Sequence, residues 1–376
     1  MTRRQRMLAA IKNQQPDRVP VAPDISNMVP CRLTGKPFWE IYVHEDPPLW
    51  RAYLDAVRYF GIDGWFIYGD MQFEYENLET VERGVERHAD YWLVRYLHRT
   101  AAGDRSSVMR YGRSDSPVRV EWPIRDVRAD FDWIRAWYEE PVGYDPALLG
   151  EQRAALGKDG AFGVCIDYPG LQAWVGWVAG GLQQLAYWAH DEPALIAKWR
   201  ELMERQVVRQ VEMILAERPD FLMLHGSGTI TLQSPVLARE LSLPTVQKLT
   251  RMAREAGVPT LLHSCGRERD WVQMCAEETE LDCINPLEPP PMGDCDLAEI
   301  KQRFGDRLAL MGNLHTTDVM WRGTPETVRD ASRQAIEAAA DGGGFILSTG
   351  DQCGRDTPDA NLFAMVEAAE TCGRYR

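Results

Sequence analysis

Ala161-Phe162-Gly163-Val164-Cys165-Ile166 opens a regular rhythm in this chain. The short apolar run is followed by helical spacing that reaches Glu217, and the pattern then repeats. Phe221-Leu222-Met223-Leu224 precedes a helix from about Pro235 to Ala256. Pro259-Thr260-Leu261-Leu262-His263 precedes one near Glu268 to Glu278, and Asp282-Cys283-Ile284-Asn285 one near Asp296 to Phe304. Leu308-Ala309-Leu310-Met311-Gly312-Asn313 leads to a helix from Pro325 to Ala340. Gly344-Phe345-Ile346-Leu347-Ser348 leads to a closing helix from about Pro358 to Cys372. Wholly apolar strands alternating with amphipathic helices imply a parallel sheet covered on both faces. With two further units near the N-terminus the count is about eight, which predicts an α/β fold closed as a (β/α)8 TIM barrel.

Upstream, Arg3 to Asn13 has helical spacing and Arg18-Val19-Pro20-Val21-Ala22-Pro23 reads as a short extended segment. Trp50 to Phe60 is helical, and Gly61-Ile62-Asp63-Gly64 turns into the apolar run Trp65-Phe66-Ile67-Tyr68. From about Leu78 to Val120, partial alternation among charges predicts an N-terminal antiparallel β insertion, a hairpin set into the barrel. No repeat, low-complexity tract or linker marks a second domain, so residues 1–376 are expected to form one.

The formal net charge of −14, from 42 basic and 56 acidic side chains, leaves no surplus of Lys and Arg to neutralise phosphates and so argues against nucleic acid. It argues equally against an anionic membrane surface. No apolar run approaches the ~20 residues needed to span a bilayer. Met1-Thr2-Arg3-Arg4-Gln5-Arg6 is followed by no apolar core of a signal peptide. The expectation is a cytoplasmic protein, and eight scattered cysteines agree with a reducing compartment.

In such a barrel the reacting groups lie where strands end. After Tyr68 come Gly69-Asp70; after Ile166 come Asp167 and Tyr168; after Leu224 comes His225-Gly226-Ser227-Gly228. His263-Ser264-Cys265-Gly266, Asn285 with Glu288, Gly312-Asn313, and Ser348-Thr349-Gly350-Asp351-Gln352-Cys353-Gly354 end the later runs. Imidazole and thiolate are preferred zinc ligands. By itself His263-x-Cys265 is as well explained by a satisfied histidine beside a buried thiol. Cys353, in a glycine-flanked loop at another strand end, tips the reading toward zinc held by His263, Cys265 and Cys353. Three protein ligands leave the fourth position open, as in catalytic sites. His225 reads as ligand, substrate contact or core histidine; Glu288, in a Pro-rich loop, as ligand, substrate contact or solvated surface. Asp70, His225 and Glu288 are the candidate catalytic groups, and Asn313, Tyr168 and Trp174 candidate substrate contacts, though aromatics at helical spacing are more often core.

These residues resemble the uroporphyrinogen decarboxylase superfamily. The resemblance rests on Arg6-Met7-Leu8-Ala9-Ala10-Ile11 with Pro16-Asp17-Arg18-Val19-Pro20-Val21, His263-x-Cys265-Gly266 and Met311-Gly312-Asn313. Gly323-Thr324-Pro325-Glu326, the Gly342 to Leu347 strand and Thr357-Pro358-x-x-Asn361 add to it. The true decarboxylases resemble one another in an Arg-rich loop after the first strand. Here that loop is Asp24-Ile25-Ser26-Asn27-Met28-Val29-Pro30, with no arginine before Arg32. The methyltransferase branch is similar to this chain in its His-x-Cys and a final-loop cysteine, which implies zinc at His263, Cys265 and Cys353.

The resemblance implies transfer of a methyl group between a small methylated substrate, or a thiol acceptor, and a corrinoid (cobalamin). No Asp-x-His-x-x-Gly motif is present, so the corrinoid would arrive on a partner protein. A homodimer is allowed but not indicated. The alternatives are a metal-free decarboxylase using Asp70, and a non-catalytic binding subunit on a barrel scaffold.

Overall fold

The computed structural model describes residues 1–375. Seven parallel strands follow one another around a curled sheet. They are β1 (Gly64–Gly69), β2 (Gly160–Asp167), β3 (Phe221–His225), β4 (Thr260–His263), β5 (Cys283–Asn285), β6 (Ala309–Leu314) and β7 (Phe345–Thr349). Pro20-Val21-Ala22 fills the gap between β7 and β1. Ala22 N donates to Leu347 O and Leu347 N to Pro20 O, both at 2.9 Å, while Asp63 N donates to Val21 O at 2.8 Å. This eighth stave closes the (β/α)8 barrel.

So short a stave is held largely by side-chain charge. The Asp63 carboxylate is fully buried and accepts from Val21 N at 3.0 Å. It also pairs with Arg6 at 2.7 Å and Arg18 at 2.9 Å. Arg6, on the helix Arg3–Ile11, grips Asp17 with two further bonds of 2.7 and 2.9 Å. Removing one member of such a network leaves a buried charge without compensation. The Arg6, Asp17, Arg18 and Asp63 set therefore pins the N-terminal segment against the sheet.

The strands read as apolar runs because both faces are covered. Every residue of β4 is buried, as are the first four of β3. Gly160 in β2 faces the Gly64 backbone so closely that a side chain could not fit between the two strands. The outer helices each present one apolar stripe. In Leu49–Phe60, Trp50, Tyr53, Leu54, Val57 and Phe60 are buried at helical spacing, and burial of each such side chain contributes roughly 1.5–3 kcal/mol. That helix stops at Gly61, whose left-handed φ of 74° turns the chain back toward β1.

The insertion is larger than the expected hairpin. It is a four-stranded antiparallel sheet of Glu79–Arg87, Tyr91–Thr100, Gly103–Gly112 and Val118–Glu121. Its outer strands are mostly exposed and charged, which hides their period-two pattern. Trp92 stacks on Trp39 at 5.2 Å between ring centroids. At the other end His98 meets the edges of Trp137 and Trp177, and the Arg119 guanidinium lies 3.8 Å over Trp177. Among the described residues no helix is long and apolar enough to cross a membrane.

Candidate metal centre

Parallel register sets Asp167, His225, His263 and Asn285 side by side across β2, β3, β4 and β5 at the C-terminal rim. Asp167 Oδ1 and His225 Nδ1 are 2.9 Å apart, and Ser227 Oγ lies 3.2 Å from His225 Nε2. The His225 and His263 rings are nearly parallel, with centroids 5.7 Å apart. Burial works against charge on His225, but the hydrogen bond and charge of Asp167, with the charges of Asp24 and Asp351, outweigh it and raise its pKa. His263 goes the other way. Burial, helped by the neighbouring His225, lowers it to about 3, so its imidazole is neutral. Its Nδ1 is buried without a hydrogen-bond partner, and so are Oδ1 and Nδ2 of Asn285.

Donor atoms of His263, Cys265 and Asp351 lie within 4.8 Å of one another. Donors on a tetrahedral zinc ion stand roughly 3.3–3.8 Å apart, so small side-chain adjustments would complete such a site. An orphaned neutral imidazole, a thiol and a carboxylate form a suitable donor set. Burial, then the charges of Asp351 and Glu288, push the Cys265 thiol up to about 12. A cation at this point would reverse that balance and hold the thiolate. The residues present fit a divalent transition metal.

Cys353, the expected third ligand, is outside this group. It is fully buried, lies beside Thr349 and Thr357, and its backbone N donates to Asp24 O at 2.8 Å. The reason is distance from the strand end. Cys265 comes two residues after β4 and Asp351 two residues after β7, whereas Cys353 comes four after, still close enough for its thiol to feel the charges of Asp24 and Asp351. That shared offset is the signal in the sequence that singles out Asp351.

The surrounding carboxylates hold the loops. Glu288 is 7% exposed, and its Oε2 accepts from Gly266 N at 2.6 Å. Burial and the charge of Asp351 raise its pKa to about 7. Asn313 does not face the cluster; its Nδ2 donates to Leu287 O at 3.1 Å and so steadies the Pro-rich loop that carries Glu288. Glu268, which the sequence reading passed over, is 2% exposed. It accepts from Ser264 Oγ, Thr231 Oγ1, Thr231 N and Ile230 N, tying the loop after β3 to the loop that carries Cys265. Its pKa is raised to about 7 by burial, against the pull of those bonds. Asp24 is raised to about 6, by burial and then by Asp351.

Three other candidates lie elsewhere. Asp70 is exposed and lines a separate cleft of about 670 Å³ with Arg51, Glu151 and Gln152. Tyr168 and Trp174, expected to wall a substrate pocket, are fully buried. The Tyr168 hydroxyl bonds Thr229 Oγ1 at 2.6 Å, and Trp174 stacks on Trp199 at 4.6 Å. Both are core side chains, placed there by helices packing on the barrel.

Barrel and cluster together define an α/β barrel with side chains that could hold a metal ion gathered at its mouth. The chain belongs to the uroporphyrinogen decarboxylase (URO-D) family, whose model matches residues 175–372. It is 30% identical over 157 residues to a protein named methylcobamide:CoM methyltransferase MtbA, from Methanosarcina mazei; the match covers 39% of this chain and 42% of that one. It is 27% identical over 191 residues to a methylated-thiol–coenzyme M methyltransferase of the same organism, covering 50% and 48%. The chain thus spans less than half the length of these curated relatives. A solved structure described as a methyltransferase from Methanosarcina mazei superposes with a TM-score of 0.67 at 16% identity, covering 98% of both chains, and shares the fold.

Proposed function

We propose that this chain is a methyltransferase that moves a methyl group between a small methylated substrate, or a thiol acceptor, and a corrinoid on a partner protein. It would use zinc held by His263, Cys265 and Asp351. The observation that carries this reading is the convergence of three donors from two strand ends, with a buried imidazole whose Nδ1 has no hydrogen-bond partner. The names of the two curated relatives support the reaction class. Zinc in such a site supplies Lewis acidity, lowering the pKa of a coordinating thiol or alcohol or improving a leaving group.

The chain's own residues would do the rest. His225 Nε2 takes up or returns the substrate proton, with Asp167 fixing the opposite ring nitrogen. Glu288 and Asn285 orient the substrate beside the metal. Decarboxylation of a polycarboxylate fits this mouth poorly, because Asp24, Glu288 and Asp351 surround it and none is ion-paired with an arginine or lysine among the described residues. A cytoplasmic location suits a site that needs a free thiol, and the cysteines of the chain are all unpaired.

Metal analysis of the purified chain tests the site. One zinc per chain is expected, lost on Cys265→Ser and Asp351→Asn but kept on Cys353→Ser. With reduced corrinoid and a panel of methylated compounds, the zinc-loaded chain should produce the methyl-cobalt spectrum. Undiminished zinc in both ligand variants would overturn the assignment.

A further inference from the structure

The mouth holds more carboxyl groups than a metal and its ligands account for. A divalent ion is balanced by the Cys265 thiolate and the Asp351 carboxylate, and Asp167 is paired with His225 at 2.9 Å. Asp24 and Glu288 are left over. Asp24 is 4% exposed and interacts with both Asp351 and His225; Glu288 is 7% exposed and borders Asp351 and Cys265. Neither forms an ion pair with lysine or arginine among the described residues; their hydrogen bonds come from Ser26 N and Gly266 N.

The cations nearest in sequence do not fill the gap. Arg355 pairs with Asp356 at 2.9 Å. Arg267 is exposed, and its backbone N donates to Thr231 Oγ1. Polar groups meanwhile wait unpartnered on the rim. Beside the metal donor His263, Asn285 is fully buried with neither amide atom hydrogen-bonded. Buried carboxylates without a cationic partner are costly, and sites that keep them commonly use them on a ligand.

We propose that the small substrate of this site is itself a cation, carrying an ammonium group a few atoms from the sulfur or oxygen that meets the metal, and that Asp24 and Glu288 receive it. This rests on the metal-site reading above and adds the charge of the substrate to it. An anionic tail such as a sulfonate would face both carboxylates and be disfavoured.

The test uses three two-carbon thiols that differ only in tail charge: 2-aminoethanethiol, 2-mercaptoethanol and 2-mercaptoethanesulfonate. The full chain is loaded with Co(II) in place of zinc, and each thiol is titrated while the thiolate-to-cobalt absorption band is followed. Affinity should fall in that order, by about tenfold from the amine to the sulfonate or more. Asp24→Asn and Glu288→Gln should each shrink that ratio severalfold, and Asp24→Asn serves if Glu288→Gln fails to fold. Sulfonate binding as tight as amine binding, with a normal cobalt spectrum, overturns this inference and leaves the metal site standing. If Arg267→Ala then abolishes the sulfonate binding, the charge that governs selection lies at Arg267 instead. Failure to bind cobalt would instead remove the metal reading, and this inference with it.

Discussion

Replacing Glu268 with alanine should loosen both the fold and the metal loop. The carboxylate accepts from Ser264 Oγ at 2.8 Å, Thr231 Oγ1 at 2.9 Å, Thr231 N at 3.0 Å and Ile230 N at 3.1 Å. The two hydroxyls have fallback acceptors, since Ser264 Oγ also reaches Gly226 O at 2.9 Å and Thr231 Oγ1 reaches Cys265 O at 3.4 Å. The two backbone amides have none. Both amides are only part-buried, so each costs at most roughly 1–3 kcal/mol when stranded, and relief of the buried carboxyl's own desolvation offsets part of the sum. The expected net loss is about 1–3 kcal/mol.

Because Glu268 joins the loops around Cys265 without touching the ligand set, zinc affinity should also fall, by about 10–100-fold. Urea unfolding with a chelator present gives the first quantity, and competition against a zinc indicator gives the second. Glu268→Gln keeps one acceptor oxygen and should recover part of both losses. Glu268→Ala within about 0.5 kcal/mol of wild type, with zinc affinity unchanged, would refute the reasoning.

Glu268 also titrates abnormally. Its folded pKa of about 7 lies above the ordinary 4.5, so the stability it adds is full below about 4.5 and fades as pH rises toward 7. The stability gap between wild type and Glu268→Gln, measured without metal, should therefore move by about 3 kcal/mol in the variant's favour across that window. His98 and His263, lowered by burial to about 4 and about 3, push the absolute slope the opposite way, so the difference between the two proteins is the quantity to measure. Asp63→Ala strips the buried partner from Arg6 and Arg18 and should cost about 3–5 kcal/mol by urea denaturation. Gly226→Ala places a methyl group against the Tyr168 ring and should cost about 1–3 kcal/mol in the same assay, with Gly226→Ala/Tyr168→Phe no better because the ring itself is in the way.

The barrel was legible because its signal is repeated. Each strand from Ala161 onward is a buried run with a helix after it, and the redundancy survives an error in any one unit. The insertion was read short because Glu79–Arg87 and Val118–Glu121 are largely solvated, so little in their composition depends on being in a sheet. At the site, His263 and Cys265 could be chosen because they share one strand end. A third donor would come from the loop after β7, and there the sequence offers Asp351 and Cys353 two residues apart. Preference for a thiol over a carboxylate favoured Cys353; loop geometry favours Asp351. Glu268 was invisible for a different reason. A buried glutamate opening a helix looks like any polar first-turn residue until its four donors are in place.

The identity of that third donor changes the chemistry. Thiolate with carboxylate carries the same formal charge as two thiolates, but oxygen is the harder donor and gives the metal less electron density. A His-Cys-Asp site is therefore the more electrophilic of the two, better at acidifying a bound thiol or alcohol and less selective for soft metals. Asp351→Cys converts one set to the other at a position whose donor already lies within 4.8 Å of the others. The variant should keep one metal per chain and raise the preference for Cd(II) over Zn(II) by about tenfold or more, because cadmium gains most from a second sulfur. Competition titrations of the two metals measure that ratio directly. An unchanged cadmium-to-zinc ratio with full metal occupancy would mean that residue 351 does not bind the ion, and Cys353 would regain its claim to the third position.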